Sequence, residues 1–105
     1  MVAEPQWVRV AGVEEVPVGA VKVARAGRLE VALFNLDGDF HALTNQCPHV
    51  GGPLGEGRLE GKVIECPWHC WGFDVTTGGC TTFEGAEAAR YDVRVEGEDL
   101  QVRVP

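Results

Sequence analysis

Apolar and polar residues alternate over short segments along most of the chain, which is the pattern of β-strands rather than of helices. The apolar segments are rich in β-branched residues and are separated by Gly, Pro and Asp. The sequence therefore predicts an all-β protein. Its expected strands are residues 7–10, 21–25, 29–36, 40–44, 62–65, 72–75, 91–96 and 100–104.

Two of the expected connections carry the residues that tight hairpin turns need. Asp37 and Gly38 stand between two apolar alternations, and Gly97 separates the last two expected strands. Such residues tolerate the positive φ angles of two-residue hairpin turns. We therefore expect antiparallel pairing on both sides of each turn.

Glycine and proline are concentrated in the middle of the chain. Eight glycines and three prolines lie between Cys47 and Cys80, so strands there must be short. A chain of 105 residues is long enough for one domain. We predict a single domain over residues 1–105, with a β framework at about 1–43 and 84–105 and a loop-rich region at about 44–83 inserted into it.

The charge of the chain excludes nucleic acid as a partner, and its apolar segments are too short to predict a membrane span. Sixteen acidic and nine basic side chains give a net charge of -7, the opposite of what nucleic-acid binding requires. No segment approaches the roughly 20 apolar residues of a membrane span, and the first residues do not resemble a signal peptide. We expect a cytoplasmic protein without membrane or nucleic-acid partners. The acidic excess is either a solvated surface or a face that steers a basic partner toward the middle segment.

Reduced thiols are the norm in the cytoplasm, so the four cysteines suggest metal binding before they suggest disulfides. Cys47 and His49 form one mixed pair, and Cys66 and His69 form a second. Three interpretations compete: four unrelated loop residues, a Cys2His2 zinc site, and a binuclear iron-sulfur centre held by two cysteines and two histidines. The gap between Cys47 and His49 is short for two ligands of one zinc ion.

The segment CPHVGGPLGEGRLEGKVIECPWHCWGFDVTTG, residues 47–78, closely resembles the Rieske [2Fe-2S] signature. The resemblance implies a fold of three stacked antiparallel sheets in which a cluster-binding subdomain is inserted into a β framework. It also implies one [2Fe-2S] cluster. Cys47 and Cys66 would bind its buried iron, and His49 and His69 its outer iron.

The family resemblance implies a one-electron carrier and not an enzyme. Soluble Rieske ferredoxins pass electrons from an NAD(P)H-dependent flavoprotein reductase to a terminal ring-hydroxylating oxygenase. The alternative is the small subunit of assimilatory NAD(P)H nitrite reductase, partnered by the large subunit, and a zinc-binding interaction module is more distant. Related oxygenases need a second iron held by two histidines and a carboxylate. Only His41 remains, and we expect it to be a half-exposed strand residue.

Departures from the respiratory members of the family predict a low reduction potential. Those members resemble this chain but have a disulfide at the positions of Gly52 and Trp68, and hydroxyl groups at the positions of Trp71 and Phe73. A lost hydrogen bond to a cluster or ligand sulfur removes stabilisation of the reduced, more negative state.

The remaining cysteines and aromatics have two interpretations each. Cys70 stands where the family usually has glycine, and we expect it and Cys80 to be small buried hydrophobes, the alternative being a disulfide between them. Trp68, Trp71 and Phe73 are expected to pack around the centre and exclude water. The alternative for Trp68 is an exposed position in a docking surface.

Overall fold

The computed structural model describes residues 6–48, 51–68 and 70–104, and the strands in this part of the chain form three antiparallel sheets. The described residues contain no α-helix, only two short 3-10 turns at Val13–Glu15 and Leu54–Glu56. This architecture confirms the predicted fold class. The strands are β1 (Gln6–Gly12), β2 (Val21–Ala26), β3 (Leu29–Leu36), β4 (Asp39–Thr44), β5 (Arg58–Glu60), β6 (Val63–Glu65), β7 (Gly72–Asp74), β8 (Arg90–Tyr91), β9 (Val93–Glu96) and β10 (Asp99–Val104).

The sheets divide the chain into a framework and a middle part. One sheet has the order β1-β10-β9 and a second the order β2-β3-β4-β8, while the third, β5-β6-β7, comes entirely from residues 58–74. The hairpin turns form where the sequence predicts them. Asp37 and Gly38 both have positive φ angles, 54° and 97°, and Gly97 has φ 64°. Positive φ at both central residues is the condition for the type I′ hairpin turn that matches the twist of paired strands.

Two features of the strands differ from the sequence prediction. β5 was not predicted because it has only three residues and two of them are charged, Arg58 and Glu60. The predicted strand 91–96 is divided at Asp92, because β8 pairs with β4 whereas β9 pairs with β10. The chain thus passes from one sheet to another at Asp92.

Strand β3 separates two hydrophobic cores. Ala32 and Phe34 belong to the core that contains Cys47 and Cys66, whereas Val31 and Leu33 belong to the core under the terminal sheet. All four residues are at most 1% exposed. Because side chains alternate between the two faces of a strand, burial of both faces explains why residues 31–34 are continuously apolar.

Candidate metal centre

Two loops with the same hydrogen-bonding pattern present the cysteines. In residues 47–52, the Cys47 N–H donates to the Gly52 carbonyl at 2.8 Å and the Gly51 N–H donates to the Cys47 carbonyl at 2.7 Å. In residues 66–71, the Cys66 N–H donates to the Trp71 carbonyl at 2.8 Å and the Cys70 N–H to the Cys66 carbonyl at 2.9 Å. Each loop is therefore closed by the same pair of bonds, counted from its cysteine. We call residues 47–52 the first ligand loop and residues 66–71 the second ligand loop.

Both loop cysteines are buried, and the loops pack against each other. Cys47 is 2% exposed and Cys66 is 1% exposed, and both belong to a core that includes Phe73. A Cβ atom added to Gly52 would lie 2.8 Å from the Cys66 Sγ and 3.1 Å from the Trp68 ring. Real Cβ atoms essentially never come within 3.0 Å of another heavy atom, so glycine is required here by the close approach of the first loop to the second thiol.

The two buried cysteines fit a Rieske-type cluster. Buried thiols in an apolar core are soft ligands shielded from water, as iron-sulfur centres require. His49 and His69 lie outside the described residues. Their places in the sequence put one histidine within each ligand loop.

Cys70 and Gly51 occupy equivalent positions in the two ligand loops, four residues after the loop cysteine, and both have positive φ, 61° and 77°. The prediction that Cys70 is buried was wrong, because its side chain is exposed. The left-handed backbone at this position favours glycine.

No disulfide connects Cys70 to Cys80. Cys80 is half-buried at the edge of the core that contains Phe73, and its Sγ accepts a weak bond from the Phe83 N–H at 3.4 Å. Phe73 forms an antiparallel bridge with Cys80, whereas Cys70 lies in the second ligand loop, before β7 begins at Gly72.

The aromatic residues divide into a buried and an exposed group. Phe73 is fully buried and Trp71 is half-buried, as expected, but Trp68 is 64% exposed, so the docking alternative fits it better. Phe83 is 50% exposed, and its ring centroid lies 4.4 Å from that of Trp71. We call Trp68 and Phe83 the aromatic tip, since one lies in the second ligand loop and the other packs on it.

Residues 81–83 pack beside the second ligand loop and contain no proline. The Thr82 hydroxyl oxygen accepts the Gly72 N–H at 2.9 Å, and the Thr81 N–H donates to the Gly72 carbonyl at 2.8 Å. These bonds place Phe83 next to the second ligand loop. His41, in contrast, is a half-buried residue of β4 opposite Phe34, as predicted.

The ligand loops and the segment that covers them carry no formal charge. Residues 45–55, 66–73 and 75–83 contain no Asp, Glu, Lys or Arg. The acidic residues of the middle segment instead lie in and beside its sheet, where Asp74 is paired with Lys62 at 3.2 Å. Burial disfavours the Asp74 carboxylate, but bonds from the Thr76 hydroxyl and amide and from Lys62 outweigh burial and lower its pKa. The interpretation of the middle segment as an acidic docking face therefore does not extend to the loops themselves.

Comparison with known proteins identifies the class. A profile of the Rieske [2Fe-2S] domain matches residues 6–101. The chain belongs to the Rieske [2Fe-2S] domain family, whose cofactor is the Rieske-type 2Fe-2S cluster. This result confirms the predicted family and favours the iron-sulfur interpretation of the cysteine and histidine pairs over the zinc site.

Individual relatives narrow the class further. The chain is 37% identical over 98 residues to the biphenyl dioxygenase ferredoxin subunit of Pseudomonas sp. strain KKS102. The alignment covers 91% of this chain and 90% of that relative. It is also 35% identical over 92 residues to human apoptosis-inducing factor 3, of which it spans only 15%. The relative of nearly the same extent as this chain is thus a ferredoxin, the class of protein that the sequence predicts.

Solved structures agree with this assignment. The ferredoxin of Sphingomonas yanoikuyae B1 superposes with a TM-score of 0.87 at 27% identity, covering 95% of this chain and all of that one. The ferredoxin in a complex of reduced oxygenase and oxidized ferredoxin of carbazole 1,9a-dioxygenase superposes at 0.83 with 28% identity, covering 92% of each chain. Among the described residues of this protein, no helix is long and apolar enough to cross a membrane.

Proposed function

We propose that this chain is the ferredoxin component of a ring-hydroxylating oxygenase system, accepting electrons from an NAD(P)H-dependent flavoprotein reductase and passing them to the terminal oxygenase. The observation that carries the proposal is the pair of buried cysteines on twin loops beneath an exposed aromatic tip. Similarity to a dioxygenase ferredoxin subunit along nearly the whole of both chains supports it.

The roles of the chain's residues follow from their places in the loops. We assign the ligands as Cys47, His49, Cys66 and His69. A bound Rieske cluster takes up and releases one electron at a time. The two thiolates would hold it within the apolar core, where the surrounding side chains would keep water from the sulfurs and so tune its potential.

Delivery to the oxygenase requires a docking surface close to the ligand loops, and we assign this role to the aromatic tip. Large aromatic side chains are the commonest energetic anchors of protein interfaces. Because the loops are uncharged, apolar contact rather than ion pairing would hold the complex together, while charges elsewhere on the surface steer its approach.

Location in the cytoplasm remains part of the proposal. The exposed side chain of Cys70 is compatible with this location, because thiols stay reduced in the cytoplasm.

The first test is the metal itself. We expect the purified protein to be coloured and, after reduction with dithionite, to give the EPR spectrum of a Rieske cluster, whereas zinc is silent in both measurements. Redox titration should give a midpoint potential in the lower part of the family range of roughly -150 to +300 mV. A value above about +100 mV would contradict the inference from the absent hydroxyl groups.

The second test is electron delivery. Stopped-flow mixing of the reduced protein with the purified terminal oxygenase of a biphenyl dioxygenase system measures the second-order rate constant. We expect Trp68→Ala and Phe83→Ala each to lower it by about tenfold, because a central aromatic anchor is lost. Val95→Ala is the matched control, since Val95 is 49% exposed and lies on β9 in the terminal sheet. Equal effects at Phe83 and Val95 would reject the aromatic tip as the docking surface.

A further inference from the structure

Asn45 connects the two ends of the first ligand loop. It lies two residues before Cys47 and is only 3% exposed. Its side-chain Nδ2 donates to the Glu30 Oε1 at 2.6 Å, and its Oδ1 accepts the Gly55 N–H at 2.7 Å. Its backbone N–H donates to the Glu30 carbonyl at 3.0 Å, and its carbonyl accepts the Leu54 N–H at 2.9 Å. One residue thus bonds to β3 on one side and to the outgoing end of the loop on the other.

The second ligand loop does not need such a residue. Strands β6 and β7 pair directly below it, with Glu65 opposite Gly72 and Ile64 opposite Phe73. The first ligand loop has a bridge between Gln46 and Pro53, but its incoming strand β4 and the outgoing 3-10 turn at 54–56 form no hairpin.

The side chain of Asn45 replaces the strand-pairing hydrogen bonds that the first ligand loop lacks. A carboxamide can donate and accept at once, so it can bind Glu30 and the Gly55 amide together. Neither a hydroxyl group nor a carboxylate offers both a rigid donor and a rigid acceptor in this planar arrangement.

We propose that Asn45 is a positioning residue of the metal centre, which closes the base of the first ligand loop against Glu30 and thereby holds Cys47 in place for the cluster. The inference rests on the proposal that Cys47 is a ligand. It assigns to Asn45 and Glu30 a role in retaining the cluster that is separate from their contribution to folding.

The described residues contain a matched control for this role. Asn35 is the other buried polar residue among them, at 5% exposure, and it also bonds through both ends of its amide. Its Nδ2 donates to the Val16 carbonyl at 2.8 Å, and its Oδ1 accepts the Gly38 N–H at 2.8 Å. These bonds lie within the framework, so Asn35 reports on folding without contact to the ligand loops.

The test measures how fast the folded, cluster-loaded protein loses its visible absorbance in the presence of an iron chelator. Asn45→Asp keeps the acceptor for Gly55 but replaces the donor with a second carboxylate facing Glu30. We expect cluster loss about tenfold faster than in the wild type, because a hydrogen bond of the buried Asn45 side chain is replaced by a repulsion. Asn35→Asp should lower the urea midpoint of unfolding at least as much but leave the rate of cluster loss within about twofold.

Exchanging the amide and the carboxylate between positions 45 and 30 provides a rescue experiment. In the double variant Asn45→Asp with Glu30→Gln, the glutamine amide can donate to the aspartate, which restores the bond with reversed polarity. We expect the double variant to lose its cluster within about threefold of the wild-type rate. Hydrogen exchange of peptides covering residues 46–56 should rise in Asn45→Asp and return in the double variant, while peptides covering 66–74 stay unchanged.

Two results would overturn the inference: equally fast cluster loss in Asn45→Asp and Asn35→Asp, or an absence of rescue by Glu30→Gln. If Asn45→Asp does not fold, Glu30→Ala gives the same measurement, because Glu30 is exposed and only the bond to Asn45 is lost. Failure of the underlying ligand assignment is distinguishable, since a Cys47→Ala protein that keeps the Rieske EPR spectrum would reject it directly.

Discussion

Replacing Cys70 by glycine should stabilise the protein. Cys70 has φ 61° and an exposed side chain, so glycine relieves the backbone without removing a buried contact. The left-handed conformation costs a residue with a Cβ roughly 1–2 kcal/mol, and the flexibility of glycine in the unfolded chain returns roughly 0.5–1 kcal/mol of that. A net gain of about 0.5–1 kcal/mol corresponds to about 2–5 °C in the melting temperature of a chain of this length.

Far-UV circular dichroism of the oxidised, cluster-loaded protein during heating measures this shift. Cys70→Ser is the matched control, because it removes the thiol but keeps the Cβ and should leave the melting temperature unchanged. Gly51→Ala is the reverse experiment at the equivalent position of the first ligand loop. A Cβ at Gly51 meets nothing within 4 Å, so the conformation alone should cost about 1 kcal/mol. Equal melting temperatures for Cys70→Gly and Cys70→Ser would refute the reasoning.

Three further predictions concern packing, pH and the metal. Gly57→Ala should cost roughly 1–3 kcal/mol in urea unfolding, because its Cβ would overlap the Glu65 carbonyl oxygen, whereas Gly79→Ala, with only an ordinary contact, should be near neutral. The pKa of Asp74 is lower in the folded state, so its contribution to stability is present above about pH 3.9 and is lost as the pH falls further. Asp74→Asn should therefore flatten the acid side of the stability profile, and an unchanged slope would contradict the assignment. Removal of the metal should raise amide exchange within residues 44–83 before the framework strands, whereas uniform exchange along the chain would argue against this.

The sequence predicts the framework well because its strands obey simple local rules. Strand β3 was predicted at its observed bounds, since both of its faces are buried and its apolar run is bounded by turn residues. The turn at Asp37 and Gly38 was predicted because few residues tolerate positive φ. Strand β5 was not, because a three-residue strand with charged ends carries no hydrophobic pattern of its own and depends on pairing with β6.

The metal centre was likewise predicted only in part from the sequence. The spacing of the cysteines and histidines was enough to predict the family, because a binuclear centre imposes it on the sequence. The exposure of Trp68 and Cys70 could not be predicted from residue type, since both are commonly buried. Asn45 was also missed, because its role depends on Glu30 and Gly55, which come from distant parts of the chain. An asparagine two residues before Cys47 was the only local signal.

The exposed indole of Trp68 makes partner binding observable by fluorescence without a label. Of the three tryptophans, Trp7 and Trp71 are half-buried, and Trp7 lies beneath the guanidinium of Arg94 at 4.3 Å. Only Trp68 is largely in water, so its emission lies at the longest wavelength of the three. Burial of the aromatic tip against a second protein would move that emission toward the blue, and titration of the shift would give a dissociation constant for the resting complex.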